Sequence, residues 1–161
     1  MPLRLGKVGV AGSGGGWTGA FSVGVLKAFA ERDVRPEWVF GVSVNALSFA
    51  AWLSSDSTIV PERTFLRLEK SGQNALFDRR EIKWRILTET SLFSEKGLRE
   101  LIWGKTTSHK VEIPGADIQK LLDSPVTFEF AVHNETKGFE YEIISNRDPR
   151  FQKNHELMRL F

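Results

Sequence analysis

The feature that most constrains this chain is a cluster of glycines near its start. Eight of the 14 glycines lie within the first 24 residues. Glycine weakens ordinary helices and strands, so such a cluster indicates backbone that turns sharply or approaches another group closely. The densest part, Gly14-Gly15-Gly16, is therefore predicted to be a loop within Gly12–Thr18. An apolar strand at Leu5–Ala11 precedes the loop, and an amphipathic helix at Gly19–Ala30 follows it.

A second strand and a second helix come next in the chain. Residues 38–42 (WVFGV) form a short apolar run, and Val44–Leu53 is predicted to be a buried apolar helix. The order strand, helix, strand, helix over residues 5–53 is typical of a parallel crossover unit. Loops that leave the carboxyl ends of neighbouring parallel strands border one crevice. We therefore expect the glycine loop and the bend at Ser43 to lie together.

The remaining elements are predicted from periodicity and turn residues. Apolar residues on the first helix (Phe21, Val25, Leu26, Phe29) and two tryptophans (Trp38, Trp52) are expected in the core. Helices are predicted at Pro61–Lys70, Arg79–Leu87, Ser94–Ile102 and Pro149–Phe161, with a short helix within Ile113–Leu122. Strands that alternate with period two are predicted at Val126–Asn134 and at Gly138–Ser145, the latter with Phe139, Tyr141 and Ile143 on its apolar face. Glu135–Gly138 joins these two strands as a hairpin turn.

Composition narrows the class of protein further. The 161 residues, 41% hydrophobic and 26% charged, are typical of one globular domain. A net charge of +2 excludes a nucleic-acid-binding protein, and the absence of cysteine excludes disulfides and thiol chemistry. No apolar run approaches the ~18 residues that span a membrane, and no signal peptide is visible. A cytoplasmic location is therefore expected, with export by another route as the alternative.

The glycine loop is predicted to bind negative charge. Backbone N–H groups without neighbouring side chains can converge on one point, and the following helix adds the positive end of its dipole. Such a loop holds a phosphate or a developing oxyanion. Gly14, Gly16 and Gly19 also satisfy the G-x-G-x-x-G pattern of dinucleotide-binding domains. That alternative requires an acidic residue at the end of the second strand, where this chain has Val42-Ser43.

The second motif, Gly41-Val42-Ser43-Val44-Asn45, is close to a G-x-S-x-G nucleophile elbow. This elbow puts a serine hydroxyl on a sharp strand-to-helix turn above the sheet. A serine at such a turn is, by itself, more often a helix cap. With an anion-binding loop at the neighbouring strand, the pair favours a nucleophile with an oxyanion hole.

Together the two motifs make the chain resemble the patatin-like phospholipases. The resemblance is carried by SGGGWTGAFSVGVLKAF (Ser13–Phe29) and GVSVNALSFA (Gly41–Ala50). It implies a three-layer α/β fold, with a mainly parallel central sheet flanked by helices, and a lipid acyl hydrolase that uses a Ser–Asp dyad. It implies Ser43 as the nucleophile and neither a metal nor an organic cofactor. The implied oxyanion hole consists of Gly14, Gly15, Gly16 and Trp17.

The chain departs from the family pattern at three places. Thr18 stands where the family often has Lys or Arg, and Asn45 replaces the closing glycine of the elbow. None of the six aspartates is followed by glycine, whereas the family's catalytic Asp lies in a D-G-G or D-G-A motif. We therefore expect residues 1–161 to be a single patatin-like domain, truncated before the segment that carries this Asp. A catalytically inactive fragment that acts as a binding module is the alternative function.

The expected partners follow from this interpretation. The substrate is a lipid or another ester, and no nucleic acid is expected. The run Arg79–Leu87 mixes basic and apolar residues, so it is either a solvated helix face or a peripheral membrane contact. His109, His133 and His155 lack the spacing of metal ligands and are interpreted as structural, although His155 follows Ser43 in the order of an α/β-hydrolase triad.

Overall fold

The computed structural model describes residues 6–55, 57–71, 105–107, 110–113, 117–134, 138 and 140–154. The predicted helices at Arg79–Leu87 and Ser94–Ile102 lie outside these residues, as do His109, His155 and most of the hairpin turn. The described elements, in chain order, are β1 (Gly9–Gly12), a 3-10 turn (Gly16–Thr18), α1 (Gly19–Glu31), β2 (Trp38–Val42), α2 (Val44–Ser55), α3 (Ile59–Ser71), β3 (Lys105–Thr107), β4 (Lys110–Ile113), α4 (Ile118–Asp123), β5 (Thr127–Asn134), β6 (Glu140–Ser145) and α5 (Pro149–Lys153).

Four strands form one sheet in the order β1-β2-β5-β6. β2 pairs in parallel with both β1 and β5, and β5 pairs antiparallel with β6. The predicted α/β fold with a mainly parallel sheet and packed helices is therefore confirmed. In the β1–β2 ladder Gly12 lies opposite Gly41, so both strands end at the same edge of the sheet.

A second, two-stranded sheet was not predicted. It is the antiparallel pair of β3 and β4, which are three and four residues long. Segments of that length give no usable alternation of apolar and polar residues, so a search for period two does not detect them.

The core lies between one face of the four-stranded sheet and the helices packed on it. It takes side chains from β2, β5 and β6 and from α1, α2, α4 and α5. The buried cluster consists of Leu26, Val39, Phe49, Trp52, Ile118, Leu121, Leu122, Val126, Phe128, Ile144 and Phe151. α2 was predicted to be a buried apolar helix, and its Phe49 and Trp52 sit in this cluster.

The structure corrects the predicted inner face of α1. Phe21 is 77% exposed, whereas the buried residues of the helix are Gly19, Val23 and Leu26. These three follow the i, i+4, i+7 spacing of one helical face, and Phe21 lies off that face. Trp38, also expected in the core, is 36% exposed, because its strand turns Val39 and not Trp38 toward the helices.

The inner face of β6 was predicted the wrong way round. Tyr141 and Ile143 are 81% and 61% exposed, whereas Ile144 is fully buried. Ile144 lies opposite Phe130 in the antiparallel ladder, and Phe130 packs against the core. Alternate residues of a strand face opposite sides, so this register fixes Ile144 inward and its odd-numbered neighbours outward.

Several element boundaries also differ from the prediction, most of all in β1 and α5. β1 begins at Gly9, later than expected, and it includes Gly12. α5 ends at Lys153, because Asn154 leaves the helical conformation, so the helix is shorter than the one predicted to run to the C-terminus.

Asp148 caps α5, accepting a hydrogen bond from the Arg150 N–H at 2.8 Å. The Arg150 side chain also donates to this carboxylate, and these hydrogen bonds lower the pKa of Asp148.

The C-terminal part of the sheet is tied together by a buried amide. The Asn146 side chain donates to the carbonyls of Leu121 and Val126 and accepts from the Phe128 N–H. A buried side-chain amide whose groups are paired in this way links α4 and β5 to the end of β6.

None of the helices in the described ranges is both long and apolar enough to cross a bilayer.

Candidate active site

Ser43 alone separates the end of β2 from the start of α2. Its φ of 54° lies in the left-handed region, which residues with a Cβ seldom adopt. Its carbonyl accepts hydrogen bonds from the N–H groups of Ala46 (3.0 Å) and Leu47 (3.3 Å), so its backbone is fixed by the first turn of the helix. The residue itself is exposed. A strained serine at a strand-to-helix bend has the geometry of a nucleophile elbow.

Helix termination does not explain the conformation of Ser43. Among the described residues, the other non-glycine residue with positive φ is Asp33, at 53°. Asp33 comes after Arg32, the C-cap of α1, and its N–H donates to the carbonyl of Ala30. A left-handed residue is ordinary after a helix and not before one. The strain at Ser43 therefore belongs to the elbow itself.

Gly41 allows the elbow to be this tight. A Cβ built on Gly41 would lie 2.5 Å from the backbone nitrogen of Ala46. No side chain larger than hydrogen fits between the strand and the helix that doubles back over it. The first glycine of the elbow motif is therefore required by packing, as the sequence pattern implied.

The glycine loop spans the neighbouring bend, from Ser13 to the 3-10 turn. Gly16 has a φ of 56°, and a Cβ on Gly15 would collide with Oγ1 of Thr18. Thr18 closes the loop, donating to the Gly15 carbonyl from its N–H (3.2 Å) and its hydroxyl (3.1 Å). The N–H groups of Gly14 and Gly15 donate no hydrogen bond to any of the described residues.

The two bends meet at one place. A Cβ built on Gly14 would lie 3.3 Å from Cβ of Ser43 and 3.7 Å from Cγ1 of Val42. The structure thus brings the predicted nucleophile against the predicted oxyanion loop, as expected for loops that leave neighbouring parallel strands. The catalytic roles of Ser43, Gly14, Gly15, Gly16 and Trp17 stay predictions.

Asn45 links the two bends, and sequence reasoning missed this link. The residue is 4% exposed, and its side-chain amide donates to the carbonyl of Ser13. A Cβ on Gly12 would lie 2.7 Å from Cβ of Asn45, so the amide fills the space beside the end of β1. Oδ1 of Asn45 is buried without a hydrogen-bond partner among the described residues. The available signal was an amide in place of the closing glycine of the elbow.

Trp17 lies in the 3-10 turn with 51% of its surface exposed. It lines a groove between α1 and α3.

Among the residues that the structure describes, the Ser43 hydroxyl makes no hydrogen bond, and no cluster of three or more His, Asp or Glu residues could hold a metal ion.

A comparison with protein-family models matches the Patatin-like phospholipase family over residues 10–155. The chain belongs to the patatin-like phospholipase family. Searches of curated proteins and of solved structures returned no significant match. The match contains both bends, so the family resemblance of the two motifs is confirmed, and it places the chain among lipid acyl hydrolases.

Proposed function

We propose that this patatin-like chain hydrolyses carboxylic esters of lipids with Ser43 as its nucleophile. The observation that carries the proposal is the left-handed Ser43 on a strand-to-helix bend, with Gly14 of the glycine loop against it. A left-handed non-glycine residue costs about 1–2 kcal/mol, and such strain is concentrated at functional sites.

The proposed reaction has two halves. Oγ of Ser43 attacks the ester carbonyl carbon while its proton passes to a general base, and the carbonyl oxygen becomes an oxyanion. Collapse of this tetrahedral species breaks the ester C–O bond, and the alcohol leaves with a proton returned by the base. Water then attacks the acyl-serine, the base accepts its proton, and the carboxylic acid is released with Ser43 regenerated.

The glycine loop supplies the electrostatic part of the mechanism. The N–H groups of Gly14 and Gly15 have no recorded acceptor in the described ranges, and Gly16 begins the 3-10 turn, where an N–H has no partner within the helix. Amides preorganised in this way stabilise the oxyanion more than the carbonyl it forms from. Removing one such donor typically slows turnover by ~10²–10³.

One observation favours a second function. No described carboxylate or imidazole hydrogen-bonds to the Ser43 hydroxyl, and no aspartate of the sequence precedes a glycine. Serine is a weak nucleophile without a base to accept its proton. A patatin-like binding module, which holds an anion or an ester in the crevice without cleaving it, is therefore the alternative.

Hydrolysis of 4-nitrophenyl butyrate separates the two functions. We expect the 161-residue chain to release nitrophenolate, and Ser43→Ala to lower kcat by on the order of 10⁴-fold or more, as removal of a nucleophile does. Ser22→Ala is the matched control, because it removes a serine of α1 and leaves both bends intact. Equal turnover by wild type and Ser43→Ala, with both proteins folded, would contradict the hydrolase and favour the binding module.

A further inference from the structure

The side chain of Asn45 reaches from the elbow to the glycine loop. Asn45 lies in the first turn of α2, it is 4% exposed, and its amide NH2 donates a hydrogen bond to the carbonyl of Ser13. The amide is tightly packed, because a Cβ built on Gly12 would lie 2.7 Å from Cβ and 3.0 Å from Nδ2 of Asn45. The donor is therefore held by its helix on one side and by the end of β1 on the other.

This hydrogen bond also sets the direction of a neighbouring N–H. The peptide between Ser13 and Gly14 is trans and planar, so its C=O and its N–H point in opposite directions. Since the carbonyl faces the buried amide of Asn45, the N–H of Gly14 points away from that amide. Gly14 is exposed, and its N–H donates to none of the described residues. This N–H is thus available to a ligand, at the glycine that adjoins Ser43.

Glycine at position 14 would otherwise let this peptide turn over. A peptide flips through ψ of the residue before it and φ of the residue after it, and glycine adopts either sign of φ. A flipped peptide would place the Ser13 carbonyl oxygen where the Gly14 N–H was, and that oxygen would repel an oxyanion. Among the described residues, no backbone N–H donates to the Ser13 carbonyl, so within those ranges the Asn45 amide is what opposes the flip.

The carbonyl of Gly15 shows the contrast. It accepts hydrogen bonds from the N–H (3.2 Å) and the hydroxyl (3.1 Å) of Thr18, so the 3-10 turn holds it with its own backbone. The Ser13 carbonyl lies before this turn and is held from the other bend. One peptide of the loop is therefore fixed locally, and the other depends on the elbow.

We propose that Asn45 is a positioning residue, which fixes the Ser13–Gly14 peptide so that the Gly14 N–H can donate to the oxyanion. The proposal rests on the proposed function for the place where the oxyanion forms. The amide has a second group, Oδ1, which is buried without a hydrogen-bond partner among the described residues. An unpaired buried acceptor destabilises a fold, so the hold on Ser13 explains an amide at this position better than stability does.

The first test compares two variants at position 45. Asn45→Ala removes the amide and places a good helix former in α2, and Asn45→Asp keeps the shape of the side chain but replaces the NH2 by oxygen. For both we expect kcat with 4-nitrophenyl butyrate to fall about tenfold to a hundredfold, with KM within about threefold of wild type, because the donor is misplaced only for the transition state. Asn45→Ala decides the test if the buried carboxylate of Asn45→Asp prevents folding.

Ser48→Ala is the matched control. Ser48 lies on the same helix with the same 4% exposure, but its hydroxyl donates to the carbonyl of Val44 within α2, at 2.9 Å. We expect its kcat to stay within about twofold of wild type, since no contact to the loop is lost. A folded Asn45→Ala protein as fast as Ser48→Ala would overturn the positioning role and leave the hydrolase proposal standing.

A double-mutant cycle tests whether Asn45 acts through Gly14. If both residues serve the same N–H, the Gly14→Ala, Asn45→Ala protein is expected to have a kcat within about threefold of the slower single variant. A purely structural role of Asn45 would make the two losses multiply. Multiplied losses would therefore overturn the proposal even if each single variant is slow.

NMR of the isotope-labelled chain tests the peptide orientation without turnover. In wild type and in Ser48→Ala, the Gly14 amide is expected to give one sharp signal. In Asn45→Ala we expect this signal to broaden, to double, or to change its H–N–Cα–H couplings, which report φ of Gly14. Such a change in a chain without esterase activity would support the hold on the peptide and overturn the hydrolase. The same line width and couplings in all three proteins would overturn the positioning role.

Discussion

The bends after β1 and β2 reach the same edge of the sheet by opposite means. Between β2 and α2 stands Ser43 alone, held in a left-handed conformation and crowded by the helix over Gly41. Between β1 and α1 the chain takes a wider path, and at Gly16 a Cβ would meet nothing within 4 Å. One bend is shaped by backbone contact with its own helix, whereas the close contacts of the other bend, at Gly12, Gly14 and Gly15, are with side chains.

The difference suits the two bends to the different tasks that are proposed for them. In the elbow, the helix crowds the backbone at Gly41, and hydrogen bonds from the N–H groups of Ala46 and Leu47 fix the carbonyl of Ser43. The glycine loop presents N–H groups, and side chains hold it in place: Thr18 within the loop and Asn45 from the other bend. The proposed site thus combines a sterically fixed nucleophile with an anion loop held by hydrogen bonds.

The largest expected effect on stability comes from crowding the elbow. Gly41→Ala puts a methyl group 2.5 Å from backbone atoms that cannot rotate away, and we expect the free energy of unfolding to fall by about 3 kcal/mol or more. Gly24→Ala is the control, expected to raise it by about 0.5–1 kcal/mol, because the helix gains alanine in open space. Urea denaturation measures both, and a Gly41→Ala protein as stable as wild type would show that the elbow is not crowded.

The contact between the two bends is tested by Gly14→Ala. The added methyl lies 3.3 Å from Cβ of Ser43, so loop and serine must move apart by a few tenths of an ångström. We expect kcat for the butyrate ester to fall roughly a hundredfold, because oxyanion donors act only when they are well placed. Gly6→Ala, at a glycine with open surroundings, is expected to leave kcat unchanged. Equal kcat values for Gly14→Ala and Gly6→Ala would mean that the glycine loop does not contribute to catalysis.

The link through Asn45 predicts a coupled pair of substitutions. Gly12→Ala alone is expected to cost about 2 kcal/mol of unfolding free energy, since its methyl would lie 2.7 Å from Cβ of Asn45. In an Asn45→Gly background the same change is expected to cost little, which gives a coupling of about 2 kcal/mol in a double-mutant cycle. Additive effects would mean that Asn45 does not fill the space between the bends.

The smallest expected effect reports the strain at Ser43. Ser43→Gly is expected to be more stable than Ser43→Ala by about 1 kcal/mol, because glycine adopts positive φ without a steric penalty. Asp33→Gly and Asp33→Ala form the matched pair, since Asp33 has nearly the same φ. Thermal unfolding of the four proteins measures these stability differences. If glycine were more stable than alanine at position 33 but not at position 43, the elbow would not be strained.

The parts of the fold that could be predicted are those with strong local signals. β2 was located residue for residue, because a continuous apolar run is bounded there by polar residues on one side and a helix pattern on the other. The predicted inner face of β6 was wrong. Which residues of β6 point inward depends on its register with β5, and the sequence of β6 alone does not encode that register. β3 and β4 are too short to leave a pattern.

The site could be predicted where it depends on backbone geometry. Gly41 marks a place without room for a side chain and Gly14 a place where a side chain would be crowded, and the structure brings both bends together. The hydrogen bond from Asn45 to Ser13 could not be predicted, because it depends on the spacing of β1 and β2. The membrane contact, the cytoplasmic location and the extent of the domain stay predictions.

The most direct test of the nucleophile is to map where a fluorophosphonate reacts. The folded 161-residue chain is incubated with the probe, digested, and its peptides are sequenced by mass spectrometry. The account predicts one phosphonyl adduct, located on Ser43, and none on the Ser43→Ala protein. An adduct on another residue, or no adduct on the folded wild-type chain, would contradict it.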